Sequence, residues 1–284
     1  MYDIIDLKTK GLVSVPYPDA LRKGVEQAVA SWKLFCTLPK EAKGKFLYGK
    51  GAGFELKEEK GTFKDLKEDF HVTLPELTRL MSIAGEIANP KAMQFITDAD
   101  ALVQLVKPAL NEFAQSAEEA FAMPEFAKEV REDQIRLTLR FLHYFGDRPG
   151  IEEMANPHAD KGGFTLHLYE SDPGLQYLGW DRQWEEMPIS EGETVIIPGM
   201  QLQLRSENKL KALCHRVMSN ADTARRGRYS AVCFVSLNNT PAYNKSAKGR
   251  LQEFAPGFNY KMDFLEFSSL FVTQKDTSAA QSVY

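Results

Sequence analysis

The sequence is short of cysteine, with three in 284 residues: Cys36, Cys214 and Cys233. An odd, scattered set gives no disulfide framework and fits a reducing compartment, the cytoplasm. The sequence also lacks a long apolar run. No stretch approaches the roughly eighteen residues of a membrane span, and the opening MYDIIDLKTK has no apolar signal-peptide core. An excess of positive charge is missing too. Lys and Arg number 35 against 39 Asp and Glu, a formal net charge of −4. No basic stripe breaks that balance, which argues against nucleic acid as a partner. The sequence shows no internal repeat, low-complexity segment or interdomain linker. Histidine is scarce, at five residues.

What is present can bury a large core. Hydrophobic residues make up 43% of the chain, enough for one large domain or two small ones. Residues 3–6 and 12–15 read as short strands. Pro18-Asp19 opens a helix that carries Leu21, Val25, Val29, Trp32 and Phe35 at helical spacing and stops before Pro39. The Gly- and charge-rich stretch 49–72 reads as a solvated loop with one short strand. A long amphipathic helix is predicted over 98–122, with Leu102, Leu105, Val106, Leu110, Phe113, Ala117 and Phe121 as its stripe. Pro108 kinks it or marks its first turn.

From Ile135 the period becomes two. Ile135, Leu137, Leu139, Phe141 and His143 share one face; Arg136, Thr138, Arg140, Leu142 and Tyr144 share the other. Further strands are predicted at 163–169, 175–178, 193–197, 201–204, 212–218 and 228–237. Many short strands at close spacing indicate a sandwich or barrel. Helical periodicity returns at Met262, Leu265, Leu270 and Phe271.

The chemistry centres on Asn156-Pro157-His158-Ala159-Asp160. On extended backbone, residues i and i+2 point the same way, so His158 and Asp160 can take adjacent corners of one metal ion. His215 follows 57 residues later, in Leu213-Cys214-His215-Arg216-Val217. Two histidines and one carboxylate on one octahedral face leave three positions open, as in non-haem Fe(II) oxygenases. Alone, H-x-D is also what a turn with a capping Asp and a surface His gives. Beyond it lies Arg228-Tyr229-Ser230, at the head of an apolar strand that puts Arg228, Ser230, Val232 and Phe234 on one face. A buried arginine needs an anion. A ligand carboxylate would suit the guanidinium and the Ser230 hydroxyl together, and an internal Arg–Asp pair is the alternative.

With these motifs in that order, the chain resembles the isopenicillin N synthase-like branch of the Fe(II)/2-oxoglutarate-dependent oxygenases. The resemblance extends to Asp160-Lys161-Gly162-Gly163-Phe164-Thr165-Leu166, Gly174-Leu175-Gln176, Trp184 to Pro188, and the entry Trp32-Lys33-Leu34-Phe35 with Leu38-Pro39-Lys40-Glu41-Ala42-Lys43. It covers roughly residues 25–240.

The resemblance implies a mainly β fold with flanking helices (α+β). This would be a distorted double-stranded β-helix, or jelly roll, with an N-terminal helical region and a C-terminal helix. It implies one domain over 1–284: support 1–130, core 131–240, extension 241–284. The implied activity is oxidation of a small-molecule metabolite by hydroxylation, desaturation or cyclisation, using Fe(II), 2-oxoglutarate and O2 and releasing succinate and CO2. His158, Asp160 and His215 would hold the metal, with no catalytic residue beyond these ligands. Arg228 and Ser230 would bind the distal carboxylate of 2-oxoglutarate. Tyr144 would assist the C1 carboxylate, where the matching Asn of many plant relatives is Leu142. Arg140, Phe234 and His71 are the candidate substrate contacts. Glu68 would run beside the mouth, and His143 and His167 would be satisfied structural histidines. Two alternatives stand: an Fe(II)/O2 oxidase of the same fold that does not use 2-oxoglutarate, and a non-catalytic small-molecule binding module. Oligomeric state is not readable from the sequence.

Overall fold

The computed structural model describes residues 2–57, 66–148, 150–181, 183–207 and 209–240. The expectations for the 241–284 extension, and for the central part of the 49–72 loop, lie outside these residues.

The N-terminal part is helical. A one-turn α1 (Asp6–Thr9) precedes strand β1 (Val13–Pro16). Residues 3–6 are therefore not a strand, and Asp6 instead accepts from the Lys10 and Gly11 amides as a helix turn closes. Helix α2 (Asp19–Cys36) buries Leu21, Val25, Val29, Trp32 and Phe35, the stripe its sequence predicts. Short α3 (Lys40–Gly44) follows.

The next segment departs from the sequence reading. It forms strands β2 (Gly53–Lys57) and β3 (Lys67–Thr73), with Lys67, Glu68, Asp69 and Phe70 all buried. The charges that read as a solvated loop are paired inside the protein. Helices α4 (Leu77–Ile87), α5 (Pro90–Phe121) and α6 (Phe126–Arg131) come next. Helix α5 starts eight residues earlier than expected. Asn89 caps it by accepting from the Lys91 amide at 3.0 Å, and Pro90 takes the first turn, where its missing N–H costs nothing. Pro108 lies on its exposed side, where water can serve the carbonyl left without a donor.

The C-terminal part is mostly strands: β4 (Ile135–Tyr144), β5 (Glu153–His158), β6 (Phe164–Glu170), β7 (Leu175–Leu178), β8 (Trp184–Glu186), β9 (Glu193–Pro198), β10 (His215–Met218) and β11 (Arg228–Leu237), with short helices α7 (Met200–Arg205) and α8 (Ala221–Arg226). The alternation Met-Gln-Leu-Gln-Leu at 200–204 imitates a strand, yet it is α7. Its buried glutamines serve backbone groups: Gln201 donates to the carbonyls of Leu237 and Thr240, and Gln203 accepts from the Ala212 amide. That is a stronger demand than a two-residue period.

Among the described residues the strands form two antiparallel sheets. One has seven strands in the order β1-β9-β6-β11-β4-β3-β2; the other has four, β5-β10-β7-β8. One face of the large sheet packs on α2 and α5. Trp32, Phe35, Phe70, Phe95 and Phe141 meet there, each with less than 1% exposure and ring centroids 5.1–6.3 Å apart. A second apolar cluster, including Leu142, Tyr144, Met154, Leu175, Val217 and Val232, joins its other face to the small sheet. This is the jelly-roll arrangement with flanking helices. No helix among the described residues is long and apolar enough to cross a membrane.

Candidate metal centre

His158 ends β5 and His215 opens β10, and the two are register partners in the small sheet. Their rings lie 4.4 Å apart. Asp160 follows two residues after His158, and its Oδ1 is 3.8 Å from His158 Nε2 and 4.0 Å from His215 Nε2. The three ligand atoms lie within 4.8 Å of one another. Each imidazole is oriented by its far nitrogen: His158 Nδ1–H donates to the Asn156 carbonyl at 2.7 Å, and His215 Nδ1–H donates to the Leu213 carbonyl at 3.1 Å. That tautomer leaves both Nε2 lone pairs bare and turned toward the carboxylate.

Thr165 donates to Asp160 Oδ2 at 2.5 Å and fixes its other oxygen. Burial raises the Asp160 carboxyl, but His215, His158 and the Thr165 hydrogen bond outweigh it and hold the group below its ordinary range. Burial, with His158 alongside, holds His215 below its ordinary value. A carboxylate with two neutral imidazoles is the donor set a divalent transition metal takes. The backbone holding it is tight. Met200 donates to the Asp160 carbonyl at 2.7 Å and Gln201 to that of Gly162 at 2.9 Å. A side chain on Gly199 would strike both carbonyls, so a larger residue cannot replace it without moving the loop.

Arg228 and Ser230 are together, as their strand spacing predicts, but the carboxylate they hold belongs to the protein. Ser230 Oγ donates to Glu170 Oε1 at 2.9 Å, and Arg228 Nη2 donates to Glu170 Oε2 and, at 2.9 Å, to the Asp172 carbonyl. Arg228 is completely buried, and its Nε and Nη1 have no hydrogen-bond partner among the described residues. His167 is 3% exposed and lies between the two groups. Its ring centroid is 6.3 Å from that of His215, and its Nδ1 is 3.6 Å from Glu170. Neither of its ring nitrogens is hydrogen-bonded among the described residues. His167 is therefore not the satisfied histidine the sequence suggests.

Tyr144 lies beside Arg228 in register and beneath the Lys67 ammonium, 5.5 Å from its ring. Arg140 and His71 converge on buried Asp69, at 2.6 and 3.0 Å. Burial raises the Asp69 carboxyl, but Arg140 and His71 override it and hold the group well below its usual range; burial, then Arg140, lowers His71. Phe234 is half-buried further along the same face.

Glu68 points to the opposite face, away from the site. Lys43 and His143 bind it at 2.5 and 2.9 Å, and His143 stacks on Tyr229. Sequence reasoning missed Glu170, Lys67 and Asp69. The alternation of Lys67, Asp69 and His71 was a signal for the last two. A β-bulge concealed Glu170.

Residues 138–237 match the family model of the 2OG-Fe(II) oxygenase superfamily. The chain's relatives are consistent with the isopenicillin N synthase-like branch. The chain is similar to 1-aminocyclopropane-1-carboxylate oxidase homolog 5 of Arabidopsis thaliana, 27% identical over 204 residues, covering 70% of this chain and 48% of the relative. It is also similar to jasmonate-induced oxygenase 3 of the same plant, 24% identical over 216 residues, covering 71% and 57%. The chain thus spans about half the length of these relatives. Its fold is that of a 2OG-Fe(II) oxygenase family protein from Caulobacter crescentus (TM-score 0.69, 22% identity, 87% and 92% of the two chains). A Neurospora crassa protein, solved with alpha-KG and 5-formyluracil, shares it too (TM-score 0.65, 18% identity, 88% and 87%).

Proposed function

We propose that the protein is an Fe(II)- and 2-oxoglutarate-dependent dioxygenase acting in the cytoplasm on a small-molecule metabolite. One observation carries this reading: two oriented imidazole nitrogens and one carboxylate oxygen converge within 4.8 Å. His158, Asp160 and His215 would hold the iron. Arg228 and Ser230 would take the distal carboxylate of 2-oxoglutarate, and Tyr144 would line its path. The Arg228 Nε and Nη1 groups and the His167 ring nitrogens, which lack hydrogen bonds among the described residues, support a polar ligand here, since buried donors left unbonded are costly. Bound iron, with 2-oxoglutarate and O2, would supply the oxidising power, with succinate and CO2 as coproducts.

The chain's own task is positioning and exclusion of water. Thr165 and the two backbone carbonyls fix the ligand atoms. Leu142 and Val232 keep the surroundings apolar. Arg140, His71 and Phe234 would face the substrate. Ligands of solved neighbours favour a small molecule: 5-formyluracil in the Neurospora crassa protein, and JA in JOX2. In this reading 1–284 is one domain, with 1–130 supporting a 131–240 core.

An oxidase that does not use 2-oxoglutarate is the second reading. Glu170 on the Arg228–Ser230 pair favours it. Anaerobic Fe(II) titration and a succinate assay separate these. The first reading expects one Fe(II) per chain, succinate from 2-oxoglutarate, and loss of both iron affinity and turnover in His215→Ala. Substrate oxidation without succinate selects the oxidase. Full iron content and activity in His215→Ala would refute the metal assignment.

A further inference from the structure

Glu170 reaches Arg228 through an irregularity in β6. Along β11, His167 pairs with Val232, Tyr169 with Ala231 and Glu170 with Ser230, so Leu168 is an extra residue at a register shift. Leu166 and Leu168 are buried in the helix-side cluster, and Tyr169 packs against it. Regular alternation would send Glu170 to that side with Leu166 and Leu168. The bulge reverses the phase and aims a carboxylate at the guanidinium.

We propose that Glu170 is an internal competitor for the carboxylate seat formed by Arg228 and Ser230, one that an acidic cosubstrate must displace. The inference rests on the reading that this seat receives the distal carboxylate of the cosubstrate. Two carboxylates on one buried guanidinium repel each other in a medium that screens poorly. The incoming group therefore takes Ser230 and the guanidinium, and Glu170 turns aside. His167, 3.6 Å away with neither ring nitrogen bonded among the described residues, is the polar group placed to receive it. Glu170 thereby sets selectivity. A 2-oxo acid with no distal carboxylate has nothing to displace, whereas 2-oxoglutarate gains Arg228 and Ser230 only by giving up the Glu170 pair.

The test is calorimetric binding of 2-oxoglutarate and 2-oxobutanoate to the Mn(II)-loaded full chain, without turnover. Glu170→Ala and Glu170→Gln are expected to bind 2-oxoglutarate about tenfold or more tightly than wild type, the size of a released charge-assisted contact. Their affinity for 2-oxobutanoate should stay within about twofold. Equal or weaker binding of 2-oxoglutarate by both variants overturns the proposal. Arg228→Gln, made in the Glu170→Gln background, should abolish the gain. If it has no effect on 2-oxoglutarate, the distal carboxylate lies elsewhere, and the underlying reading fails along with the proposal. Should the Glu170 variants not fold, the wild type still decides. Competition predicts a preference for 2-oxoglutarate over 2-oxobutanoate below about tenfold, and a larger preference overturns it.

Discussion

A guanidinium with no exposed surface keeps its place only while an anion stays beside it. Arg228 is in that position, and Glu170 is the anion. Removing one partner should cost more than removing both. Arg228→Met should destabilise the fold by about 3–5 kcal/mol, because Glu170 is left buried and uncompensated. Adding Glu170→Met should recover most of that loss. Urea unfolding of the four species in the cycle measures it, and additive costs would show that the pair is not energetically coupled. At this scale the convergence of His158, Asp160 and His215 was legible, because an i, i+2 pair and a distal histidine survive any small error in strand boundaries. Glu170 was not legible. Its facing depends on one extra residue in β6, and nothing in Leu166-His167-Leu168-Tyr169-Glu170 marks where the extra residue sits.

Strand β3 separates its charges by face. Glu68 goes to the helix side with Lys43 and His143, while Lys67 and Asp69 go to the site side with Arg140 and His71. Its sequence reads as solvated because charge density says nothing about whether partners wait on neighbouring strands. The separation has a pH signature. His71 is held below its ordinary 6.5 in the fold, so the unfolded chain takes up the proton first and stability falls as pH drops below about 6.5. Asp69 is also depressed, so its contribution is complete above the ordinary carboxylate range. That contribution is lost as pH falls from about 4 toward its folded value. In unfolding curves across pH, Asp69→Asn should be less stable than wild type near neutral pH, by a margin that narrows below about pH 4. His71→Gln should instead flatten the slope just below about 6.5. A margin for Asp69→Asn unchanged down to about pH 2 would mean that the Arg140–Asp69 pair adds no stability.

At the scale of the whole molecule, the large sheet is assembled from strands far apart in the chain. Helices α2 and α5 and strand β4 were readable from periodicity, because each spans enough residues for its period to show, and β11 from its run of β-branched and aromatic residues. The order of strands was not, since pairing is decided between segments and not within them. β1 makes the point: Val13 pairs with Ile196 and Val15 with Thr194. A strand with so distant a partner should dock late in folding. Val15 is fully buried, so Val15→Ala should cost roughly 1–3 kcal/mol. In stopped-flow experiments that cost should appear as faster unfolding with little change in the folding rate. Equal slowing of folding would place β1 in the nucleus. The same separation has a consequence on the ribosome. About 180 residues lie between β1 and its partner. At cellular synthesis rates β1 therefore waits roughly ten to forty seconds with its backbone unpaired. A nascent strand exposed that long invites pairing with a neighbouring polypeptide, and β1 is built to discourage it: four residues, ending in a proline that donates no hydrogen bond.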